Sequence, residues 1–573
     1  MSPDPPRQGP RRPPRRDGGP AVTTTPAAAG PRVGRGPRPA PAAPVDRRLD
    51  RQRRIRRNRL VAGAGVLAVV ALLAWGCSSI IGGDGDGPAT TSSPASSHTP
   101  DASSPATPGP APKTGLAADP AERYDGWVDP KSSGHPWSSQ VVGQLTFRGN
   151  PTRSYYGLGP VPTDPKIQWR FPPSGGMCGN SPVGGENKTW CGTGWTGEPA
   201  VWEQGGKTWV SFGAYDKAIH FLDARTGDKL LADYDIGDIV KGSVTRDPDG
   251  MPLLYTGSRA DFHVLALDRA GAQPESLFTL TAGDVQPVKW NDDWDGSSLV
   301  IDDYLFEGGE NGQFHILKLN RKMGPDAKVT VDPKIVFHAP GWDDRQLEDL
   351  SGSGSRVNDV SIENSVAISG NTVYFSNSGG LLQGWDITGL KDGRMPTRTF
   401  RYWTGDDTDA SVVIDAKGFL YVAQERERAS TFARSDEVGQ LIKLDPRKPG
   451  DPVVWSIPDS RGIWATPAIY KGVVYAPTDG GRLIAVDQNS GKVLWEKKLP
   501  GPTWQSPVVV DDTLIQGDCL GNLRAYDVSR PGVDPPELWS VKLEGCIEST
   551  PTVFQGQIFV GARGGAFYAL GDA

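Results

Sequence analysis

The stretch 464–495 reads WATPAIYKGVVYAPTDGGRLIAVDQNSGKVLW, and the stretch 504–527 repeats its pattern as WQSPVVVDDTLIQGDCLGNLRAYD. Each unit contains short runs of β-branched and aromatic residues separated by Gly, Asp and Asn turns. The last run of the two units carries Trp495 and Trp539, respectively. A repeat of about forty residues with four strands per unit is typical of a β-propeller blade. The repeat therefore predicts an all-β propeller.

An aspartate after the third strand of each unit allows the blades to be counted. It recurs, with one substitution by asparagine, at Asp223, Asp268, Asn320, Asp386, Asp445, Asp487 and Asp527. An eighth unit follows Glu548 and ends after three strands, and the run 166–171 can supply its fourth strand, with Trp169 in the place of Trp495. We therefore predict an eight-bladed propeller whose last blade is closed by an N-terminal strand, so that the ring has no open sheet edge. Seven blades are the alternative, because the third and fifth units are irregular.

Three segments precede the propeller. Residues 1–59 are rich in Pro, Arg and Ala, which predicts a disordered basic tail. Residues 60–81 carry no charge and have the length of one transmembrane helix, about 20 residues. Residues 82–141 form a Gly-, Ser-, Thr- and Pro-rich linker with an irregular lead-in, and the propeller occupies 142–573.

The basic residues lie before the predicted transmembrane helix, which places the tail in the cytoplasm and the propeller outside the cell membrane. This position explains the basic run without a nucleic-acid partner. A lipoprotein-type attachment at Cys77 is an alternative that also leaves the propeller outside. The net charge of −6 over 573 residues is too weak to indicate a partner.

Four cysteines lie within the propeller region. In a propeller, the loop before a first strand and the turn between the second and third strands lie on the same face. Cys178 and Cys191 both precede blade 1, whereas Cys519 lies in the second turn of blade 7 and Cys546 precedes blade 8. We therefore predict the disulfides Cys178–Cys191 and Cys519–Cys546, which suit an oxidising exterior. Free buried thiols are the alternative.

The units resemble the PQQ-like (quinoprotein-type) β-propeller superfamily. The resemblance rests on the runs 485–495 (AVDQNSGKVLW), 221–227 (FLDARTG) and 147–153 (FRGNPTR), and on the Ser/Thr-Pro openings of blades 6 to 8. The resemblance implies the fold of residues 142–573. The superfamily includes both PQQ-dependent alcohol dehydrogenases and BamB-type scaffold lipoproteins of bacteria. The family's dehydrogenases show an adjacent Cys-Cys pair, which this sequence lacks.

Alignment of the units places a set of side chains around the mouth of the central channel. They are Glu198, Lys241, Asp295, Glu363, Asp409, Trp464, Trp504 and Glu548. Carboxylates that converge on one axis suit a hard cation such as calcium, and aromatic faces suit a planar ligand or a peptide. The alternative is a solvated acidic channel without a ligand.

A second calcium candidate is the run 291–296 (NDDWDG). Asn291, Asp293, Asp295 and Asp302 roughly match the spacing of a calcium-binding loop, in which alternate oxygens wrap one ion. The asparagine at the first position and Asp302 in place of the closing glutamate depart from that pattern. The charged run 425–428 (ERER) is interpreted as a surface cluster in the second turn of blade 5.

These observations favour a membrane-anchored extracytoplasmic propeller that acts as a non-catalytic scaffold or ligand-binding module of the bacterial cell envelope. Its partner would be an envelope protein or peptide. The alternative is a calcium- and PQQ-dependent dehydrogenase with Asp409 or Asp295 as the base. Calcium is the candidate ion, and PQQ enters only under this alternative.

Overall fold

The computed structural model describes residues 124–183, 186–354, 356–428 and 431–573. The predicted tail, transmembrane helix and most of the linker lie outside these residues. Within the described ranges, none of the helices combines the length and apolar character needed to cross a membrane.

Eight antiparallel sheets form the eight blades that the repeat predicts, and blade 8 is closed by an N-terminal strand. From the inner to the outer edge, blades 1 to 4 consist of Ala200–Gln204, Lys207–Gly213, Ala218–Asp223 and Tyr234–Asp235; Thr245–Arg246, Leu253–Gly257, Asp261–Ala266 and Glu275–Thr281; Leu299–Ile301, Tyr304–Gly308, Gln313–Lys318 and Lys334–Pro340; Ala367–Ser369, Thr372–Phe375, Leu381–Asp386 and Thr397–Trp403. Blades 5 to 8 consist of Val413–Ile414, Leu420–Ala423, Leu441–Leu444 and Val453–Ile457; Ala468–Tyr470, Val473–Pro477, Arg482–Asp487 and Val493–Lys498; Val508–Val510, Thr513–Gly517, Asn522–Asp527 and Glu537–Lys542; Thr552–Phe554, Gln557–Ala562, Ala566–Gly571 and Lys166–Phe171.

The repeat motif joins each outer strand to the next blade. The Asp487 carboxylate accepts hydrogen bonds from backbone N–H groups of the turn that follows it. That turn ends at Gly491, whose φ of 74° favours glycine and whose position leaves no room for a Cβ, which would lie 2.6 Å from Trp455 of blade 5. Gly227 receives Trp169 of blade 8 in the same way, at 2.9 Å. The Asp, the Gly and the outer-strand Trp are therefore parts of one inter-blade contact.

The N-terminal strand closes the ring through pairing and aromatic packing. Lys166–Phe171 pairs antiparallel with Ala566–Gly571. The Trp169 ring packs against Phe567 with centroids 6.1 Å apart, and its Nε1 donates to the Ala224 carbonyl of blade 1 at 2.8 Å. Residues from both ends of the domain therefore hold blades 8 and 1 together.

A lead-in segment fills the lower part of the propeller axis. Gly143–Gln144 pairs with the inner strand of blade 1, and Gly157–Leu158 pairs in parallel with the inner strand of blade 8. Residues 144–154 between them are all buried. The carbonyls of Pro151 and Thr152 accept backbone N–H groups from blades 4 and 5. We call residues 143–158 the plug.

The two faces of the ring carry different insertions. We define the upper face by the loops that precede the inner strands and the turns between second and third strands, and the lower face by the remaining turns. The upper face carries the hairpin Cys178–Val183/Glu186–Cys191 and two α-helices, Asp344–Gly352 and Phe432–Val438. The lower face carries the hairpin Lys322–Met323/Val329–Thr330. Short 3₁₀ helices occur at Pro130–Ser132, Ala270–Ala272 and Leu390–Asp392.

The first described residues pack on the lower face. Val128 pairs with Gly370 in the turn between the first two strands of blade 4. The Trp127 indole donates to the Ile387 carbonyl at 2.8 Å, and its ring packs edge-on against Tyr304. The chain that precedes the propeller therefore joins it at the lower face.

Both predicted disulfides are confirmed. Cys178 is bonded to Cys191 across the ends of the upper-face hairpin. Cys519 is bonded to Cys546, which links the second turn of blade 7 to the loop before blade 8.

We expect loss of the second bridge to lower the free energy of unfolding. It closes a loop of 27 residues, so the Cys519→Ser/Cys546→Ser variant should lose about 3 kcal/mol in denaturant unfolding. Thiol titration of the unfolded, non-reduced chain should find one of the five cysteines reactive, and all five after reduction. Five reactive thiols before reduction would contradict the bridges.

Candidate functional site

A ring of hydroxyl contacts fixes which residues of neighbouring blades lie at the same level around the axis. At this level the backbone N–H of one blade donates to a Ser or Thr hydroxyl of the next, as Ser365 does to Ser411 and Ser411 to Thr466, each at 2.9 Å. The residues of the ring are Glu198, Ser243, Ser297, Ser365, Ser411, Thr466 and Ser506.

The residues two positions earlier in each blade form what we call the upper ring. They are Thr196, Lys241, Asp295, Glu363, Asp409, Trp464, Trp504 and, by the same spacing in blade 8, Glu548. Neighbours in this ring touch: Lys241 Nζ lies 2.6 Å from Asp295 Oδ2, and Trp464 Nε1 donates to Asp409 Oδ2 at 3.0 Å. The structure therefore brings together seven of the eight predicted mouth residues, and places Glu198 one level lower.

Lys241 lies at the centre of an acidic cluster built on blade 3. Its Nζ is 2.7 Å from Asp293 Oδ2, 2.6 Å from Asp295 Oδ2 and 2.7 Å from Glu310 Oε1. All three carboxylates are buried. Burial alone would lower the pKa of Lys241, but these carboxylates outweigh it and raise the pKa well above its ordinary value. We call Asp293, Asp295 and Glu310 the blade-3 cluster.

The structure separates the residues of the predicted calcium loop. Asp293 and Asp295 lie together, and the Asn291 side-chain amide donates to Glu310 Oε2 at 2.8 Å. Asp302 lies in the turn between the first two strands of blade 3, on the lower face, where it pairs with Lys391. The Lys241 ammonium occupies the position between the remaining carboxylates that a cation would take.

A second buried cluster lies on blade 5. Oxygens of Asp407, Asp409 and Glu425 lie within 4.8 Å of one another, and all three residues are buried. Burial, and then the negative charges of Glu427, Asp409 and Asp407, raise the pKa of Glu425 well above its ordinary value. We call Asp407, Asp409 and Glu425 the blade-5 cluster.

The other two carboxylates of the upper ring are held by donors of their own. Glu363 Oε1 accepts from the hydroxyls of Ser361 and Ser378 at 2.7 and 3.0 Å. Glu548 accepts from Arg563 at 2.9 Å. Each is therefore fixed in place before any ligand arrives.

Three tryptophans close the middle of the mouth. The Trp195 ring from blade 1 stacks on Trp464 from blade 6, with centroids 5.4 Å apart and an interplanar angle of 27°. Trp504 from blade 7 meets Trp464 edge-on at 5.6 Å. Trp195 was not predicted, and only 7% of its surface is exposed. These rings fill the space above the axis.

Two buried arginines of the plug close the axis below the tryptophans. Arg148 donates to the carbonyls of Pro507 and Pro467, in blades 7 and 6. Arg153 donates to the carbonyls of Val366 and Ser297, in blades 4 and 3. The run 147–153 carried the family resemblance, and the structure gives it a physical role, because its arginines join inner strands on both sides of the axis.

Glu198 belongs to this lower level. Its carboxylate accepts from the Arg148 backbone N–H at 2.9 Å and from the Gln144 amide at 2.7 Å. Burial raises the pKa of Glu198 to about 7, although Arg148 partly opposes the shift. Glu198 therefore anchors the plug and does not face the mouth.

We expect Glu307, beside Arg153, to make stability depend on pH. Burial raises the pKa of Glu307 to about 8, with Arg153 opposing it, whereas an unfolded glutamate titrates near 4.5. The folded state therefore holds this proton more tightly, and stability falls as the pH rises from about 4.5 to 8. Glu307→Gln should reduce the loss between pH 5 and pH 8 by an amount on the order of 3 kcal/mol, measured by urea unfolding.

Glu198 should leave part of the decline in the Glu307→Gln variant, because burial raises its pKa in the same direction. Asp302→Asn, at an exposed site, is the control and should follow the wild type. Parallel wild-type and Glu307→Gln profiles would contradict the prediction.

A cavity of about 420 Å³ lies on the lower face, beside the plug. Its walls include Tyr155, Tyr156, Asp415, Lys471 and Asp511. It is separated from the upper ring by the plug, so it does not extend the mouth.

Comparison with known proteins gives two sequence matches. A family model described as Outer membrane protein assembly factor BamB matches residues 437–530. Quinohemoprotein alcohol dehydrogenase ADH IIB of Pseudomonas putida is 31% identical over 130 residues, which are 20% of this chain and 18% of that protein. The chain thus matches less than a fifth of the length of this curated relative.

Solved structures share the architecture at low identity. BamB from Moraxella catarrhalis aligns with a TM-score of 0.46 at 13% identity, over 65% of this chain and 96% of that one. A europium-containing methanol dehydrogenase aligns with a TM-score of 0.52 at 13% identity, over 75% of this chain and 98% of that one. The second likeness shows a shared fold. In its blades, its repeat motif and these sequence matches, the chain is similar to the PQQ-like β-propeller superfamily.

Proposed function

We propose that this protein is a membrane-anchored, extracytoplasmic propeller that acts as a non-catalytic scaffold of the bacterial cell envelope and binds a protein or peptide partner on its upper face. The observation that carries the proposal is the filled axis. Trp195 and Trp464 close it above, and Arg148 and Arg153 close it below.

The upper ring does not fit PQQ in shape. PQQ is a planar tricyclic tricarboxylate, and a planar ring held between two aromatic faces needs them about 7 Å apart, since each contact takes about 3.5 Å. Trp195 and Trp464 lie 5.4 Å apart and already stack on each other. A quinone would have to displace Trp195, which is almost fully buried.

The charges of the upper ring also oppose a tricarboxylate. Among the described residues, the cations at the mouth already form ion pairs. Lys241 pairs with the three carboxylates of the blade-3 cluster, and Arg563 pairs with Glu548. The blade-5 cluster adds further negative charge. An anionic cofactor would therefore meet net repulsion at this surface. We derive no catalytic step through PQQ.

The upper face is available for a partner under the proposed topology. The described chain starts on the lower face, so the segment that leads to the predicted transmembrane helix at 60–81 joins the propeller there. The disulfide-bonded hairpin and both α-helices rise on the opposite face. A propeller with a filled axis still offers a rigid face on which a partner can dock. The matched family model also bears the name of an assembly factor.

The calcium- and PQQ-dependent dehydrogenase is the second candidate. It is favoured by the match to ADH IIB, which covers 130 residues. It would require the upper ring to open, which the packing of Trp195 opposes.

Site-directed photo-crosslinking in intact cells tests the scaffold proposal. A photoreactive amino acid would replace Glu348 or Ser460 on the upper face, and Asp302 or Gln555 on the lower face, all of which are exposed. We expect discrete protein adducts from the upper positions and none from the lower pair. Equal adducts from both faces, or none from either, would contradict upper-face docking.

A further inference from the structure

The cavity of about 420 Å³ on the lower face has walls from two parts of the chain. One wall is the plug, which contributes Tyr155. The other wall consists of lower-face turns of three neighbouring blades, which contribute Asp415 from blade 5, Lys471 and Gln488 from blade 6, and Asp511 from blade 7. The volume lies within the range of about 300–1,000 Å³ that small-molecule sites occupy. The cavity therefore has the size of a ligand site, and the plug separates it from the upper ring.

Hydrogen bonds hold the polar part of this wall in place. The Asp415 carboxylate accepts from the backbone N–H groups of Lys417 and Phe419, at 2.9 and 3.0 Å. It also accepts from the Tyr421 hydroxyl at 2.8 Å and from the Gln488 side-chain amide at 3.1 Å. These donors use the acceptor capacity of the carboxylate, which is about four lone pairs. Asp415 therefore fixes the orientation of Gln488 and has no acceptor position left for a ligand.

The charges around the cavity nearly cancel. Both carboxylate oxygens of Asp512 lie beside Lys471 Nζ, at 2.7 and 2.9 Å. Lys443 is buried behind the wall and lies close enough to Asp415 for their charges to attract. Asp511, at the exposed rim, is the charged lining residue whose side chain has neither an ion pair nor a hydrogen bond within the described chain. The interior of the cavity therefore favours neither a strongly cationic nor a strongly anionic ligand.

Three side chains that line the cavity keep polar groups without a hydrogen-bond partner in the described ranges. These groups are the Asp511 carboxylate, Gln488 Oε1 and the Tyr155 hydroxyl. Burial raises the pKa of Tyr155 to about 12, and the negative charge of Asp511 adds to the shift. The Tyr155 hydroxyl therefore stays protonated at neutral pH. The cavity thus offers carboxylate and amide acceptors together with one hydroxyl that can donate or accept.

Tyr155 also offers an aromatic face. Its backbone is held on both sides, since its N–H donates to the Arg148 carbonyl at 3.2 Å and its carbonyl accepts from the Gln144 amide at 3.1 Å. Its side chain is half-buried, and its ring stacks on no aromatic ring of the residues that the structure describes. A fixed amphipathic ring beside hydrogen-bonding groups suits a ligand with an apolar face and polar edges.

We propose that the lower-face cavity binds a neutral saccharide of one or two pyranose rings. The sugar hydroxyls would donate to the Asp511 carboxylate and to Gln488 Oε1, and the C–H face of a pyranose would pack on the Tyr155 ring. Hydrogen bonds to a carboxylate are charge-assisted and therefore among the stronger ones. An anion would be repelled by Asp511, and a cation would find the oxygens of Asp415 already occupied. This site goes beyond the proposed upper-face docking and does not depend on it.

Saturation-transfer difference NMR with defined sugars tests the site. The full-length protein would be kept in a detergent whose head group is not a sugar, and titrated with maltose, cellobiose, trehalose, mannobiose and N,N′-diacetylchitobiose. We expect at least one of these to bind saturably with a dissociation constant in the millimolar range or below, and neither spermidine nor inorganic phosphate to displace it. Absence of saturable binding by all of them at tens of millimolar, or displacement by spermidine or phosphate, would overturn the proposal.

A matched pair of variants locates the site. Asp511→Gly removes the carboxylate from a turn position whose φ of 47° suits glycine, and it should weaken sugar binding at least about tenfold. Asp302→Gly is the control, because Asp302 occupies the same turn position in blade 3 with a φ of 48° and lies outside the cavity. It should bind sugar as the wild type does. Equal binding by the two glycine variants would overturn the proposal.

Variants of Tyr155 separate its two roles. Tyr155→Phe keeps the aromatic face and should weaken binding about threefold, through the lost hydroxyl. Tyr155→Leu also removes the aromatic face and should weaken binding at least about tenfold. Melting temperatures of Asp511→Gly and Tyr155→Phe close to that of the wild type would show that the losses concern the ligand and not the fold. Wild-type affinity in both Tyr155 variants would contradict the assigned cavity.

Discussion

Replacing Arg153 by methionine should lower the free energy of unfolding by about 4 kcal/mol, although the substitution keeps much of the side-chain volume. The guanidinium donates to the carbonyls of Val366, Phe147 and Ser297, at 2.8, 2.8 and 2.6 Å. Methionine leaves these buried acceptors without a donor, and water cannot reach them because residues 144–154 are buried. The chain would then lose one of the links between the plug and blades 3 and 4.

Differential calorimetry and urea unfolding measure this effect. Arg153→Lys is the conservative control, since it keeps the charge but offers fewer donors in one plane, and it should recover part of the loss. Arg345→Met, at an exposed position on the Asp344–Gly352 helix, should leave stability within about 0.5 kcal/mol of the wild type. An Arg153→Met protein as stable as the wild type would show that the plug does not hold the axis.

Lys241→Met should cost about 3 to 5 kcal/mol at neutral pH, because it leaves the three carboxylates of the blade-3 cluster buried without a cation. The deficit should shrink as the pH falls, since protonation of Asp295 and Glu310 reduces the repulsion within the cluster. Burial raises the pKa values of these two acids and Lys241 opposes the rise, so both pKa values increase further when Lys241 is absent, and stability is lost as the pH increases above about 4.5. Urea unfolding at pH 5 and pH 8 measures both the loss of stability and its dependence on pH.

A compensating variant makes the Lys241 prediction specific. Lys241→Met combined with Asp293→Asn and Glu310→Gln should regain most of the stability, because the uncompensated charges are gone. A pH-independent deficit that this combination does not relieve would indicate lost packing of the lysine stem instead.

The repeat predicted the architecture well because each blade reuses the same contacts. The Asp487–Gly491 turn must accept an outer-strand Trp, so the motif recurs wherever a blade meets its neighbour. The closing strand was predictable for the same reason, since Trp169 repeats the contact that Trp455 makes. Disulfide pairing followed from the two faces of the ring.

The sequence predicted which residues lie at the mouth, but not which of them share a level around the axis or which side chains they contact. The sequence alignment placed Glu198 with the other mouth residues, whereas the structure places it at the level of Ser243, Ser365 and Ser411. The loops before the inner strands vary in length, so the sequence did not show that the other seven residues share one level.

The sequence did not reveal the side chains that the turns and the plug contribute to the mouth and the axis. Arg148 and Arg153 precede the first blade and belong to no repeat, so periodicity gave no sign of their burial. The run 425–428 was interpreted as a surface cluster, yet Glu425 is buried and Arg428 is buried against Asp359. A glutamate two residues after a second strand, facing an Asp-x-Asp loop, is the signal that could have found both clusters.

Calorimetric titration of calcium-saturated full-length protein with PQQ tests the central claim, that the filled axis leaves no cofactor site. The packing of Trp195 on Trp464 and the committed cations Lys241 and Arg563 predict no heat beyond dilution. Saturable, tight binding of PQQ that is lost when calcium is removed would contradict the scaffold proposal and establish the dehydrogenase alternative as the one to pursue.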